Sequence, residues 1–217
     1  FLTYLPERKQ DRIKRKKSRK NANGKELALS YSMVNHDIML MQDGYFILGE
    51  AFYATYRTET VTRTTYTSNG PVTTTTTQSV FDGYQYTHAF IAKFGFDGTL
   101  QWDRTFEMFP YYKPYTIKKF ITVIPDNKSA VKMVFGNHSK IVSKSIDEEG
   151  NIINSKESEP VQFSDNQGDK RKWAISYTDY WYKNYFLAYG KEKIKNTEIS
   201  SVKKKRKVFF ISKVAFE

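Results

Sequence analysis

Apolar residues in this chain fall in short runs of strand length, each bounded by Gly, Asp, Asn or Lys. Three stretches share one grammar. "DGYFILGEAF" (43–52) is followed, after a long insertion, by "THAFIAKFGFDGTLQWDRTFEM" (87–108). "NKSAVKMVFGNHS" (127–139) runs directly into "KIVSKSIDEEGNIINSKES" (140–158). "KNYFLAYGKEK" (183–193) is followed by a basic linker and then "RKVFFISKVAFE" (206–217).

In each, an apolar strand ends at Gly49, Gly136 or Gly190, and a second strand follows at 89–96, 141–146 or 208–214. In the first two, an acidic-Gly turn (Asp97-Gly98, Glu149-Gly150) leads to a further strand, expected at 100–106 and 152–156. A strand candidate also precedes each: "LALSYSMV" (27–34), "TIKKFITVI" (116–124) and "KWAISYTDY" (172–180). The pattern predicts an all-β chain of about three units with four strands each, the last unit incomplete. Four strands per unit is the signature of β-propeller blades. The organisation expected is 1–26 as the end of an upstream strand plus a basic arm or inter-blade loop, 27–110, 111–163 and 164–217.

The stretch "DGYFILGE…AFIAKFGFDGTLQWDRTF" resembles the blades of exported β-propeller-like proteins of Bacteroidetes, most of them of unassigned function. The likeness covers 27–217, strongest in the first unit; the second departs from it with Asn154 where the first has Trp102. It implies a periplasmic, outer-membrane-associated or extracellular scaffold belonging to an envelope complex. A propeller usually has at least four blades and the last unit here is unfinished, so the three units are expected to be part of a larger closed propeller with further blades before Phe1; the alternative is a short open sheet completed by a partner.

Composition agrees with strands, with sixteen Tyr, sixteen Phe and many Thr. No run of apolar residues is long enough for a transmembrane helix. Cysteine is absent, so there are neither disulfides nor thiolate ligands. The net charge of +12 is concentrated in residues 1–25, which carry +8 and leave +4 for the rest. A block of like charge this dense is expected to stay solvated or flexible.

The insertion at 53–86 is rich in Thr, Tyr and Val around "SNGP" (68–71), a strong turn signal. Both of its alternating faces are polar, so it should project as a hairpin and not join a core. Tyr56, Arg57, Arg63, Tyr66, Asn69 and Gly70 are the residues expected to meet a protein partner.

Catalytic and metal chemistry find little footing. His36, His88 and His138 lack ligand spacing, and "DEEGN" (147–151) reads as a hairpin turn and not a calcium loop. Glu50, Asp82, Asp103 and Glu107 could in principle supply a carboxylate pair. Asp103 and Glu107, however, fit the outward positions of a strand. Neither an enzyme nor a cofactor is expected. The aromatics in "PYYKPY" (110–115), and Tyr180, Trp181 and Tyr182, read as covers for the sheet ends, with glycan or peptide contact as the alternative. Nucleic acid is disfavoured, because basic residues and rings do not interleave along these stretches.

The basic patch Lys203, Lys204, Lys205, Arg206 and Lys207 looks like a nuclear import signal but lies between two strands of the last unit. It is read as the exit of a hairpin loop, with the strand starting at Val208; an anionic envelope surface is its alternative partner. The function expected is a non-catalytic protein-binding scaffold, with a carbohydrate-binding or carbohydrate-processing propeller as the second reading.

Overall fold

The computed structural model describes residues 7–23, 31–110, 112–126, 130–137, 140–153, 158–160, 168–198 and 203–215. Among them lie one helix and twelve strands. The strands form three antiparallel sheets that follow one another along the chain.

The first sheet has the order β1 (Ser32–Asn35), β3 (Gly44–Thr67), β4 (Gly70–Gly95), β5 (Leu100–Glu107), with β2 (Met39–Leu40) also paired to β3. The second runs β6 (Thr122–Asp126), β7 (Ala130–Asn137), β8 (Lys140–Asp147), β9 (Ser158–Pro160). The third contains β10 (Lys170–Tyr182), β11 (Tyr185–Lys195) and β12 (Lys205–Ala215). The all-β expectation therefore holds. None of the sheets closes on itself among the described residues.

The three sheets stack by their faces, and alternation decides which residues meet. Along β7, Val131, Met133 and Phe135 pack with Phe46, Leu48, Ile91 and Met108 of the first sheet and its connection. Val134 turns the other way and packs with Phe186, Ala188 and Phe210 of the third sheet. A strand buried on both faces has no polar side, which is why "AVKMVFG" reads as a nearly continuous apolar run. In β11 the alternation is regular, with Phe186, Ala188, Gly190, Glu192 and Ile194 buried and their neighbours more exposed.

Polar contacts fix the stack. Trp102 on β5 lays its ring on Gly150, where an added Cβ would come within 2.7 Å of the indole, and donates its Nε1–H to the carbonyl of Glu148. Arg104 donates to the carbonyl of Gly150 at 2.9 Å. Between the second and third sheets, Thr122 donates to the carbonyl of Thr178, and Thr178 donates to that of Val134. Lys118 places its ammonium 4.4–4.7 Å from the rings of Tyr112, Phe120 and Tyr177, tying the first-to-second connection to β10.

The deepest polar contact is Glu50 on β3, which is fully buried. Its carboxylate accepts hydrogen bonds from the backbone N–H of Phe120 and of Ile121, each at 2.9 Å, and from His36 Nε2 at 2.7 Å. An ionised carboxylate survives away from water only when such donors replace its hydration.

Two expectations are corrected, and a third falls largely outside the described residues. Residues 7–22 form α1 (Glu7–Ala22) and not a loop. The segment is built from strong helix formers without Gly or β-branched residues other than Ile13, so backbone propensity prevails over charge repulsion. Of the strand expected at 152–156 only residues 152 and 153 are described, with a single bridge from Ile146 to Ile152, and β9 lies at Ser158–Pro160. Asn154 lies outside the described residues. Finally, β12 begins at Lys205 and not at Val208.

Glu50→Ala should lower unfolding free energy by about 3–5 kcal/mol, since it strands three donors in a dry site. Glu50→Gln, which keeps an acceptor oxygen, should lose clearly less. Urea denaturation midpoints check both; an alanine variant within about 0.5 kcal/mol of the parent would contradict this account of the core.

Candidate functional site

Beyond the stack, β3 and β4 continue as a two-stranded ribbon, paired from Tyr56↔Phe81 to Thr67↔Gly70. Twelve residues of rise make it about 40 Å long. Ser68 and Asn69 form the turn. The positive φ it needs falls on Gly70 (107°), while Lys183 is the one described non-glycine residue with a positive φ. Cross-strand pairs define the two faces. One carries Tyr56, Phe81 and a Thr ladder in which Thr62 meets Thr75 at 3.3 Å and Thr64 meets Thr73 at 3.2 Å. The other carries Arg57, Glu59, Val61 and Arg63, with Arg57 and Glu59 ion-paired. The bulge between Ala54 and Tyr56 lies on β4, where Asp82 and Gly83 stand opposite Thr55 alone; the Thr55 hydroxyl donates to the carbonyl of Gly83.

Nearly every ribbon side chain is solvent-exposed; Tyr66 reaches 83% and Tyr56 65%. Tyr56, Arg57, Arg63, Tyr66, Asn69 and Gly70 are thus placed on one projecting element. Its root is held firmly. Tyr84 N–H donates to the carbonyl of Pro114, and Phe81 packs edge-on against Tyr115. Lys113 donates to Asp82 at 2.7 Å, a contact that holds the Asp82 carboxyl below its ordinary value. Gly83 (φ 90°) is pressed against the backbone of Lys113 and Pro114, leaving no room for a Cβ. "PYYKPY" therefore serves mainly as a clamp: Pro110 and Pro114 are buried, and Tyr112 packs against the core. Tyr111 lies outside the described residues.

Tyr180, Trp181 and Tyr182 end β10, where a bulge between Tyr180 and Tyr182 throws Trp181 outward. Trp181 and Tyr182 stand almost perpendicular (81°), and Tyr185 adds a third ring. The corner they form holds the ammonium of Lys213, 3.6 Å from the Tyr185 centroid and hydrogen-bonded to the Tyr182 hydroxyl, which raises the lysine's pKa. A sugar face stacking on Trp181 would compete with this cation.

The basic patch is divided by its strand. Lys203 and Lys204 precede β12, whereas Lys205, Arg206 and Lys207 are already in the ladder, opposite Lys195, Ile194 and Lys193. Arg206 turns inward and pairs with buried Asp169, which also accepts from Asn196. The loop exit is therefore shorter than the charge run suggests, because one arginine has a structural partner that no local pattern announces.

The four carboxylates form no pair. Glu50 faces the second sheet, Asp103 and Glu107 occupy the opposite face of the first, and Asp82 sits at the ribbon root. His36 serves Glu50, and His88 is buried 3.8 Å from Glu107. His138 lies outside the described residues. Among those described, no cluster of three His, Cys, Asp or Glu has metal-ligating geometry.

Gly83→Ala should cost about 1–3 kcal/mol, since a left-handed backbone and a backbone clash coincide there. Gly70→Ala, with open space around it, should cost visibly less. Depression of the Asp82 pKa stabilises the folded state above the unfolded value of 3.8 and loses that effect as pH falls through the folded one. Amide exchange at Tyr84 should accordingly quicken in strong acid relative to the core, and an acid-insensitive rate would contradict the clamp. Comparison of the chain with protein-family models, with curated proteins and with solved structures gives no match.

Proposed function

We propose that this chain is a non-catalytic binding scaffold, in which the stacked sheets are consecutive propeller-like blades that present the ribbon to a protein partner. The observation that carries this reading is the ribbon itself, a long two-stranded arm exposed on both faces and clamped at its root. A ribbon of this kind contributes little to the core, and a folded chain keeps such an element without a stability benefit. The blade reading is supported by the meander order of each sheet and by the way each packs its face on the next. The envelope setting rests on the likeness of 43–106 to exported Bacteroidetes propellers and includes an anionic surface as a second partner for the lysines.

Carbohydrate binding through Tyr180, Trp181 and Tyr182 ranks second. It is favoured by the half-exposed Trp181 and opposed by the Lys213 ammonium in the same corner.

Removing residues 57–80 and joining Tyr56 to Phe81 through an Asn-Gly turn should leave the thermal transition within a few degrees of the parent. The same change should abolish recovery of the partner in cross-linking pull-downs from the source organism. Retained assembly by a well-folded deletion variant would overturn the ribbon as the docking element. On a glycan array, binding that disappears with Trp181→Ala would instead promote the second reading.

A further inference from the structure

The hairpin that joins β10 to β11 carries Tyr180, Trp181, Tyr182 and Tyr185 around a Lys183-Asn184 turn, and no carboxylate. Tyr180 is used by the sheet, edge-on against buried Phe186. Trp181 stays 49% exposed, although a ring of that size gains most from burial. The Tyr182 ring stands across it at 81°, with centroids 4.8 Å apart, so the two form a right-angled corner. Into this corner β12 brings Lys213, itself exposed. Its ammonium lies 3.6 Å from the Tyr185 centroid, 5.3 Å from that of Tyr182 and 5.6 Å from that of Trp181.

The ammonium makes one hydrogen bond, to the Tyr182 hydroxyl at 3.0 Å, and among the described residues no carboxylate pairs with it. Asp179, the acid nearest the hairpin in sequence, is engaged by the Tyr189 hydroxyl at 2.7 Å. Cation–π attraction thus holds the lysine in place without neutralising it. Protection of a strand against aggregation would explain a lysine here, but not three rings that fix where its charge stands.

We propose that this corner binds an acidic sugar, a saccharide unit bearing a carboxylate or a sulfate, with Trp181 as the stacking platform and Lys213 as the residue that selects charge. The proposal rests on the carbohydrate reading of these residues and reverses the part that Lys213 plays in it. A neutral sugar competes with the ammonium, whereas an anionic one takes it as a partner. One ammonium proton is committed to Tyr182, which leaves two donors for the incoming anion. They stand beside the indole, within reach of an acidic group on a sugar stacked there. An extended peptide draws its affinity from strand pairing or from a groove. What is assembled here is a flat ring beside a point charge.

The test uses the full chain, titrated calorimetrically with oligosaccharides carrying uronic acid, sialic acid or sulfate, each beside its methyl-esterified or unsulfated counterpart. At least one acidic member should bind saturably and about fivefold more tightly than its neutral counterpart, the size of one exposed charge contact. That preference should fade in about 0.5 M salt. Lys213→Gln should erase the preference and leave the neutral affinity unchanged or improved, and Lys213→Arg should retain most of it. Trp181→Ala should weaken acidic and neutral members alike, by about tenfold. Both positions are exposed, so thermal transitions should match the parent's. Equal affinity for acidic and neutral members, lost in both with Trp181→Ala, overturns the acidic preference and keeps the carbohydrate reading. Absence of saturable binding to every member removes both. An acidic preference that survives Lys213→Gln, or tighter Trp181-dependent binding of an acidic peptide, overturns the assignment equally.

Discussion

The stack depends on where the buried carboxyl group of Glu50 finds its hydrogen-bond partners. Glu50 sits on the central strand of the first sheet, yet its donors come from Phe120 and Ile121, at the entry to the second, and from His36 beside β1. Taking a carboxylate out of water costs several kcal/mol, and the donors that offset this have almost no freedom of position. Apolar packing between sheets is tolerant by comparison, since faces of similar volume can slide and repack. A carboxylate that must receive two consecutive backbone amides fixes where the chain re-enters the stack after β5. Tyr86 reinforces the same connection by donating its hydroxyl to the carbonyl of Lys118.

From that fixed entry the second sheet inherits its position, and the third follows from the second. The middle sheet is apolar on both faces because it has a neighbour on each side, whereas β12 alternates because its neighbour covers one side only. Face-to-face stacking also separates two kinds of surface. Residues between sheets are committed to packing; those on the outer face of the third sheet and on the ribbon are not. Among the described residues the ribbon and the outward side chains of β12 remain the most exposed apolar and polar surfaces.

Much of this was legible in the sequence where local chemistry decides the outcome. The turns at Asp97-Gly98 and Glu149-Gly150 are equivalent in structure as well as in sequence. Each glycine has φ near +82°, and in each turn the glycine N–H reaches the carbonyl of the residue three positions earlier. The ribbon was legible because a strand pair without an apolar face has no core to enter. Glu50 was not, because a buried carboxylate and an outward-facing one look alike in a strand until the donors seventy residues away are known. The early start of β12 was hidden for a similar reason: Lys205 and Lys207 are polar by composition, and only pairing with β11 reveals them as strand residues. Helix α1 is written in propensity and not in charge, since the run from Glu7 to Ala22 is composed largely of good helix formers.

Lysine on an exposed strand edge usually reads as protection against aggregation, and on β12 that explanation is sufficient for Lys205, Lys207 and Lys213 taken alone. It does not account for Phe209 and Ile211 in the same outward rank. A strand kept out of other sheets by charge has no need of large apolar side chains facing water, and they add the liability that the lysines then have to contain.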